Sequence, residues 1–230
     1  MKKLLFPALF FALFAVSCED DDVPTPPATA DNYMSLSAGS TWNYELINNS
    51  MPPATTTNYT ITSTNRDSTV GTRTYHVFTN SSGSANEYYN ISGDEYYNFR
   101  KLPSILGVNS VENLYLKDNV AVGQSWTQPY SFTLNNTVPV TLTVTHTITE
   151  KGMSKTVNNT TYTDVIKVTT TFSATILGVA VPATAIVTDI QNFYAPKVGL
   201  INTINKVDIN YQGIVDHTDQ VINLKSSDIK

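Results

Sequence analysis

The stretch VPVTLTVTHTITE, Val138 to Glu150, decides the fold class. Val140, Leu142, Val144, His146 and Ile148 fall on one side of an extended chain, and Thr141, Thr143, Thr145, Thr147 and Thr149 on the other. A period of two marks a half-buried antiparallel strand. The β-branched threonines suit the exposed side of a pleated sheet. His146 shares the apolar side, so it reads as a core or rim histidine satisfied by its neighbours rather than as a ligand.

Working outward, the same alternation predicts long strands at Tyr162–Ile176, Ala183–Tyr194 and Leu200–Tyr211. Shorter ones are expected at Trp42–Ile47, Asn58–Thr64, Thr72–Thr79, Glu87–Ile91 and Glu95–Arg100. Ser92-Gly93-Asp94 is the turn of a hairpin. Only Pro103–Val108 suggests a helical turn. The expectation is an all-β domain: one antiparallel, strongly curved sheet or open half-barrel with little helix. A weak echo runs through it. Gly39 precedes Trp42 by three residues, and Gly123 precedes Trp126 by three. Both glycines suit a positive-φ turn into a strand whose Trp enters the core. The echo reads as two similar strand starts or as an old duplication.

The N-terminus is of another kind. Lys2 and Lys3 precede the apolar run Leu4–Val16, which is too short for the roughly 20 residues of a membrane-spanning helix. A basic head, a short apolar run and small residues are the pattern of a secretory signal. Ala15-Val16-Ser17-Cys18 resembles a lipobox, in which the cysteine becomes the acylated mature N-terminus. Ala15 departs from it, since leucine is commoner there. Cys18 is the sole cysteine, and an odd thiol in an exported chain asks for such an explanation. Two acyl chains suffice for stable anchoring. Glu19, Asp20, Asp21 and Asp22 follow, and resemble the surface-export signal of Bacteroidota-type lipoproteins. The proline-rich Val23–Asp31 is then a semi-rigid tether. The expected organisation is a signal peptide over residues 1–17, a tether over 18–32 and a single β domain over 33–230. The implied location is the outer membrane, held by lipid and facing the cell exterior.

Two further motifs carry a resemblance. Tyr33, Leu36, Gly39, Trp42 and Tyr44 match the Y-x-x-L-x-x-G-x-x-W-x-Y opening of a loose family of bacterial lipoproteins. Asn192–Ile201, NFYAPKVGLI, is similar to their closing hairpin. The resemblance implies one antiparallel domain, in some members like the half-barrel of lipoprotein carriers. It carries no catalytic residue across.

Composition narrows the chemistry. Loss of the signal removes two lysines and no acids, so the net charge falls from −5 to −7. That argues against nucleic acid as a partner. The histidines His76, His146 and His217 are scattered; only Asp216–Asp219, DHTD, groups acids with a histidine, in an expected loop. Neither a metal signature, a nucleophile elbow nor a phosphate loop occurs. No catalytic residue, metal or cofactor is therefore expected, and a hydrolase would need a Ser–His pair assembled in three dimensions. The expected function is a non-catalytic surface module, with a glycan as candidate ligand. Its platform would be Tyr88, Tyr89, Tyr96 and Tyr97 of the repeated Glu-Tyr-Tyr-Asn, one tyrosine of each pair facing solvent. The alternative is a carrier of lipid or another hydrophobic ligand, its cavity lined by Phe172–Val187. Ser68 in Asp67-Ser68-Thr69 resembles a Bacteroidota-type O-glycosylation site, in an expected turn. The sequence names no protein partner.

Overall fold

A computed structural model describes residues 31–100, 111–134 and 137–230. The signal, Cys18, the acids Glu19–Asp22 and the helical turn expected at Pro103–Val108 lie outside the described residues. The strands are β1 (Thr41–Asn48), β2 (Thr55–Val70), β3 (Arg73–Asn80), β4 (Glu87–Ser92), β5 (Glu95–Arg100), β6 (Val111–Lys117), β7 (Ser125–Leu134), β8 (Val138–Val157), β9 (Thr160–Ile176), β10 (Val179–Ala180), β11 (Ile186–Ala195), β12 (Gly199–Tyr211) and β13 (Ile214–Asp228). They form one antiparallel sheet in the order β6-β5-β4-β3-β2-β1-β13-β12-β11-β9-β8-β7, with β10 added to β9. Among the described residues the only helical element is a 3-10 turn at Ala183–Ala185. The hairpins are tight because their loops allow it. Asn158-Asn159, Leu177-Gly178 and Gln212-Gly213 all take positive φ, as two-residue type I′ turns require.

The stretch that opened the reading behaves as its pattern says. Val140, Leu142, Val144, His146 and Ile148 are buried along β8, between half-buried threonines. Three expectations are corrected. Asp216–Asp219 lies within β13 rather than in a loop, and β13 pairs with both β12 and β1. Ser68 lies within β2, opposite Tyr75, not in a turn. The apolar Phe172–Val187 lines neither chamber described below; it forms the β9–β10 tip and the start of β11, leaving Leu177, Val179 and Val187 more than half exposed.

The echo is structural. Gly39 N–H donates to the Ser63 carbonyl, Ser63 N–H to Ser40 and Ser40 N–H to Ser37. Gly123, Ile148, Gln124 and Ala121 repeat the pattern bond for bond. Gly39 and Gly123 have φ of 84° and 86°. Trp42 then pairs with Ile61 as Trp126 pairs with His146. β1–β6 form one six-stranded meander, and β7, β8, β9, β11, β12 and β13 form a second.

The two meanders meet twice. β1 pairs with β13 along its whole length, from Thr41 to Asn48. β6 and β7 meet instead through side chains on one face of β7. Trp126 Nε1 donates to the Leu114 carbonyl at 2.7 Å, Gln128 Oε1 accepts from Leu114 N–H at 2.7 Å, and Tyr130 donates to the Glu112 carbonyl at 2.7 Å. These bonds occupy the open edge of β6, which would otherwise be a template for another strand. The sheet is thus curled almost into a barrel.

The opening and closing motifs interlock. Trp42 Nε1 donates to the Val198 carbonyl at 2.7 Å and Tyr44 Oη to the Leu200 carbonyl at 2.8 Å. Lys197 N–H reaches the Asn32 carbonyl at 2.7 Å. Gly199 takes φ of 90°, and a Cβ there would stand 3.4 Å from the Tyr33 carbonyl oxygen. Residues Asn32, Tyr33, Trp42 and Tyr44 are thereby held against the β11–β12 turn.

Candidate functional site

Strand alternation inside a curled sheet sends every second side chain to a shared interior. From β4 come Glu87 and Tyr89, from β5 Asn98, from β6 Asn113 and Tyr115, and from β8 His146. From the facing wall come Asn192 and Tyr194 of β11, Thr203 and Asn205 of β12, and Gln220 and Ile222 of β13. They line a chamber of about 780 Å³. A smaller chamber of about 280 Å³ is bounded by Trp42, Tyr44, Tyr59, Ile61 and Val198. The two share Glu87, Tyr89, Asn98, Tyr115, Tyr194, Leu200 and Ile222, so they adjoin inside the curled sheet.

The larger chamber is walled by amides and aromatic rings. Asn113 Nδ2 donates to Asn98 Oδ1 at 3.3 Å, and Asn113 Oδ1 lies 3.0 Å from His146 Nε2. His146 Nδ1 lies 2.8 Å from Thr170 Oγ1. Asn113 Oδ1 is an acceptor and so calls for a proton on Nε2, while the Thr170 hydroxyl can either donate or accept. His146 is 2% exposed and lies 5.4 Å from the Trp126 ring. It is the satisfied histidine its place on the apolar side implied.

The smaller chamber is aromatic. Tyr44 stacks on Tyr59 at 5.5 Å, and Tyr89 meets Phe78 and Tyr115 edge-on at 5.0 and 6.2 Å. Tyr115 packs on Tyr194 at 5.4 Å. Glu87 stands where the chambers join. It accepts from Tyr89 Oη at 2.7 Å and from Asn80 Nδ2 at 2.8 Å. Burial, and then the Glu87 carboxylate, pushes the Tyr59 and Tyr89 hydroxyls above the usual tyrosine range. Burial, then the neighbouring tyrosines, does the same for Tyr115. The rings are therefore neutral at every physiological pH.

The tyrosine hairpin alternates as expected but is covered on both sides. Tyr96 is fully buried with Tyr33, Leu116 and Tyr115, and Tyr97 is 8% exposed beside Tyr75 and Leu114. Arg73 lies 3.6 Å over the Tyr97 ring. Tyr88 and Tyr89 are half-buried; Tyr89 faces the lumen against Phe78 and Tyr115, and Tyr88 takes the other side of β4, against Phe99 and the Tyr75–Tyr97–Leu114 cluster. No row of tyrosines is exposed on this hairpin, which corrects the expected outer platform. Of the four, Tyr89 is the one that turns into the lumen. Ser68 is half-buried and lines the same chamber. His217 pairs with Asp208 at 2.6 Å, both half-exposed on the outer wall. Among the described residues no group of three metal-binding side chains occurs.

One constellation was not legible in the spacing. Ser63 Oγ lies 2.9 Å from His76 Nε2, and His76 Nδ1 lies 2.8 Å from Asp67 Oδ1. These are the distances of a nucleophile, base and orienting acid. A nucleophile must also meet its substrate. Ser63 is 1% exposed, lines neither chamber and shares its hydroxyl with the Leu36 carbonyl at 3.0 Å. As built, the set ties the 35–40 segment to β2 and β3. Only a bulge between Ser63 and Asp67 brings the three together, and bulges leave no mark in residue spacing.

No protein-family model and no curated protein matches the sequence. Among solved structures, a candidate lipoprotein from Parabacteroides distasonis is 12% identical with a TM-score of 0.49, covering 87% of this chain and 100% of that one. A candidate outer-membrane lipoprotein-sorting protein domain from Vibrio parahaemolyticus is 11% identical with a TM-score of 0.24, covering 83% and 85%.

Proposed function

We propose that this chain is a lipid-anchored binding protein of the cell surface, non-catalytic, whose curled sheet holds a saccharide in its lumen. Cys18 is the acylated anchor in this reading, and Glu19–Asp22 direct the protein outward. The observation that carries it is the wall of the larger chamber. Tyr89, Tyr115 and Tyr194 bring aromatic rings, beside Asn98, Asn192, Asn205 and Gln220. Sugars present that same mixture of C–H faces and hydroxyls. Asn98 and Asn192 are already engaged by Asn113 and Thr203, but a hydrocarbon chain would desolvate Asn205 and Gln220 with no polar group in return, at a cost of roughly 1–3 kcal/mol for each. The lining therefore favours a glycan over a lipid. Glycoside hydrolysis uses two carboxyl groups, and Glu87 is the single one among the described residues lining either chamber.

The test is a glycan array probed with the mature protein in detergent, in wild-type form and as Gln220→Ala and Asn205→Ala. Glycan retention that either substitution abolishes, with the melting temperature kept, supports the reading. Absence of retained glycan, together with a co-purifying fatty acyl lipid, gives the lumen to a carrier instead. Acyl mass on the peptide beginning at Cys18 tests the anchor separately.

A further inference from the structure

The smaller chamber has a composition of its own. Six aromatic side chains line it: Trp42, Tyr44, Tyr59, Tyr89, Tyr115 and Tyr194. Its one ionisable group besides the tyrosines, among the described residues, is Glu87. None of the ion pairs among the described residues involves Glu87. Its two hydrogen bonds come from neutral donors, Tyr89 and Asn80. A carboxylate in an aromatic-rich chamber, bonded only by neutral donors, is an incomplete charge arrangement. Aromatic faces carry the negative end of the ring quadrupole, so they repel anions and attract cations. The aromatic part of the lining and Glu87 thus favour the same kind of guest, among aliphatic neighbours such as Ile61 and Val198.

Resting on the reading of the lumen as a binding site, we propose that the smaller chamber receives an organic ammonium group. The cation sits among the rings and pairs with Glu87. At about 280 Å³ the space suits a single charged headgroup rather than a whole oligosaccharide. Glu87 and Tyr89 line the larger chamber as well, so a ligand carrying both a polar body and an amine would place its amine beside Glu87. The ammonium is the shared chemistry of an amino sugar and of a choline-type headgroup.

Titration calorimetry on the mature protein in detergent decides the matter. The probes are choline against its neutral isostere 3,3-dimethylbutan-1-ol, and glucosamine against N-acetylglucosamine. Each bound cation should exceed its neutral counterpart by about tenfold or more. Glu87→Gln keeps the shape but offers one acceptor in place of two, so it holds either the Tyr89 or the Asn80 bond, and it should erase that gap while the protein still melts cooperatively. Should this variant fail to fold, the wild-type comparison of each pair decides alone. A preference for choline assigns the site to a quaternary headgroup, and a preference for glucosamine to an amino sugar. Equal binding of charged and neutral probes overturns the proposal. So does binding of neutral glycans with none of either cation, and that result leaves the saccharide reading standing. If neither cations nor glycans bind, both fall.

Discussion

At the scale of single residues, the two tryptophans are alike in sequence and unlike in place. Trp42 is 2% exposed and its indole donates to Val198; Trp126 is half-buried on the β6–β7 seam. Trp42→Ala should cost about 3–5 kcal/mol in urea unfolding, and Trp126→Ala clearly less. The Ser63–His76–Asp67 set has the distances of a triad but no access. A fluorophosphonate probe should leave Ser63 unlabelled on the folded protein, and labelling at that peptide would reinstate a hydrolase. Glu95 gives the pH dependence. Bonds from Lys117, then from Tyr97, hold its carboxyl below the usual range. A carboxyl lowered in the folded state contributes stability that is present above its unfolded pKa and lost as pH falls through the folded value. Stability should therefore decline on acidification below about pH 5, and Glu95→Gln should flatten part of that decline. The Glu95 side chain is 36% exposed, so solvent screening keeps the effect small.

At the scale of elements, the weak junction is β6 with β7. Gln128 supplies the acceptor for Leu114 N–H where a ladder carbonyl would stand in a closed barrel. Gln128→Ala should cost about 1 kcal/mol, and amide exchange should accelerate at Leu114 while the β1–β13 amides stay protected. Uniform acceleration would show that the seam is not a separate unit. Legibility of the strands follows from what they face. β8 was plain because Val140–Ile148 put only one polar side chain, His146, on the buried side. β13 was not, because its inner side mixes Gln220 with Ile222 and Leu224 while its outer side mixes Val215 with His217. A wet lumen erases the contrast on which period-two reading depends. The tyrosine pairs failed for a related reason. Alternation tells which side a residue takes, but not what covers that side. The lumen, made by strands from both meanders, joins positions no local window contains.

At the scale of the whole molecule, closure unites the ends of the chain. β1 begins at Thr41 and its partner β13 ends at Asp228. Lys230 N–H also donates to Ser40 Oγ at 3.0 Å. The contacts that complete the sheet are thus among the longest-range in sequence, and such pairings make folding slow. Each meander opens on the same glycine–tryptophan turn, yet the two share one core. The first by itself leaves Trp42, Tyr44 and Phe78 without Phe193, Ile201 and Leu224, with which they form one core. Stopping the chain after Gln212 removes β13. That exposes one edge each of β1 and β12 and takes Ile222 and Leu224 from the interior. The truncated chain should lack a cooperative thermal transition and bind a hydrophobic dye, whereas a chain carrying Gln128→Ala at the opposite seam should still melt cooperatively. The contrast rests on what each junction contains: a full backbone ladder at β1–β13, and three side-chain bonds at β6–β7. A cooperative transition in the truncated chain would mean that the β1–β13 ladder is dispensable, and that the remaining strands form a folding unit without closing the ends of the chain together.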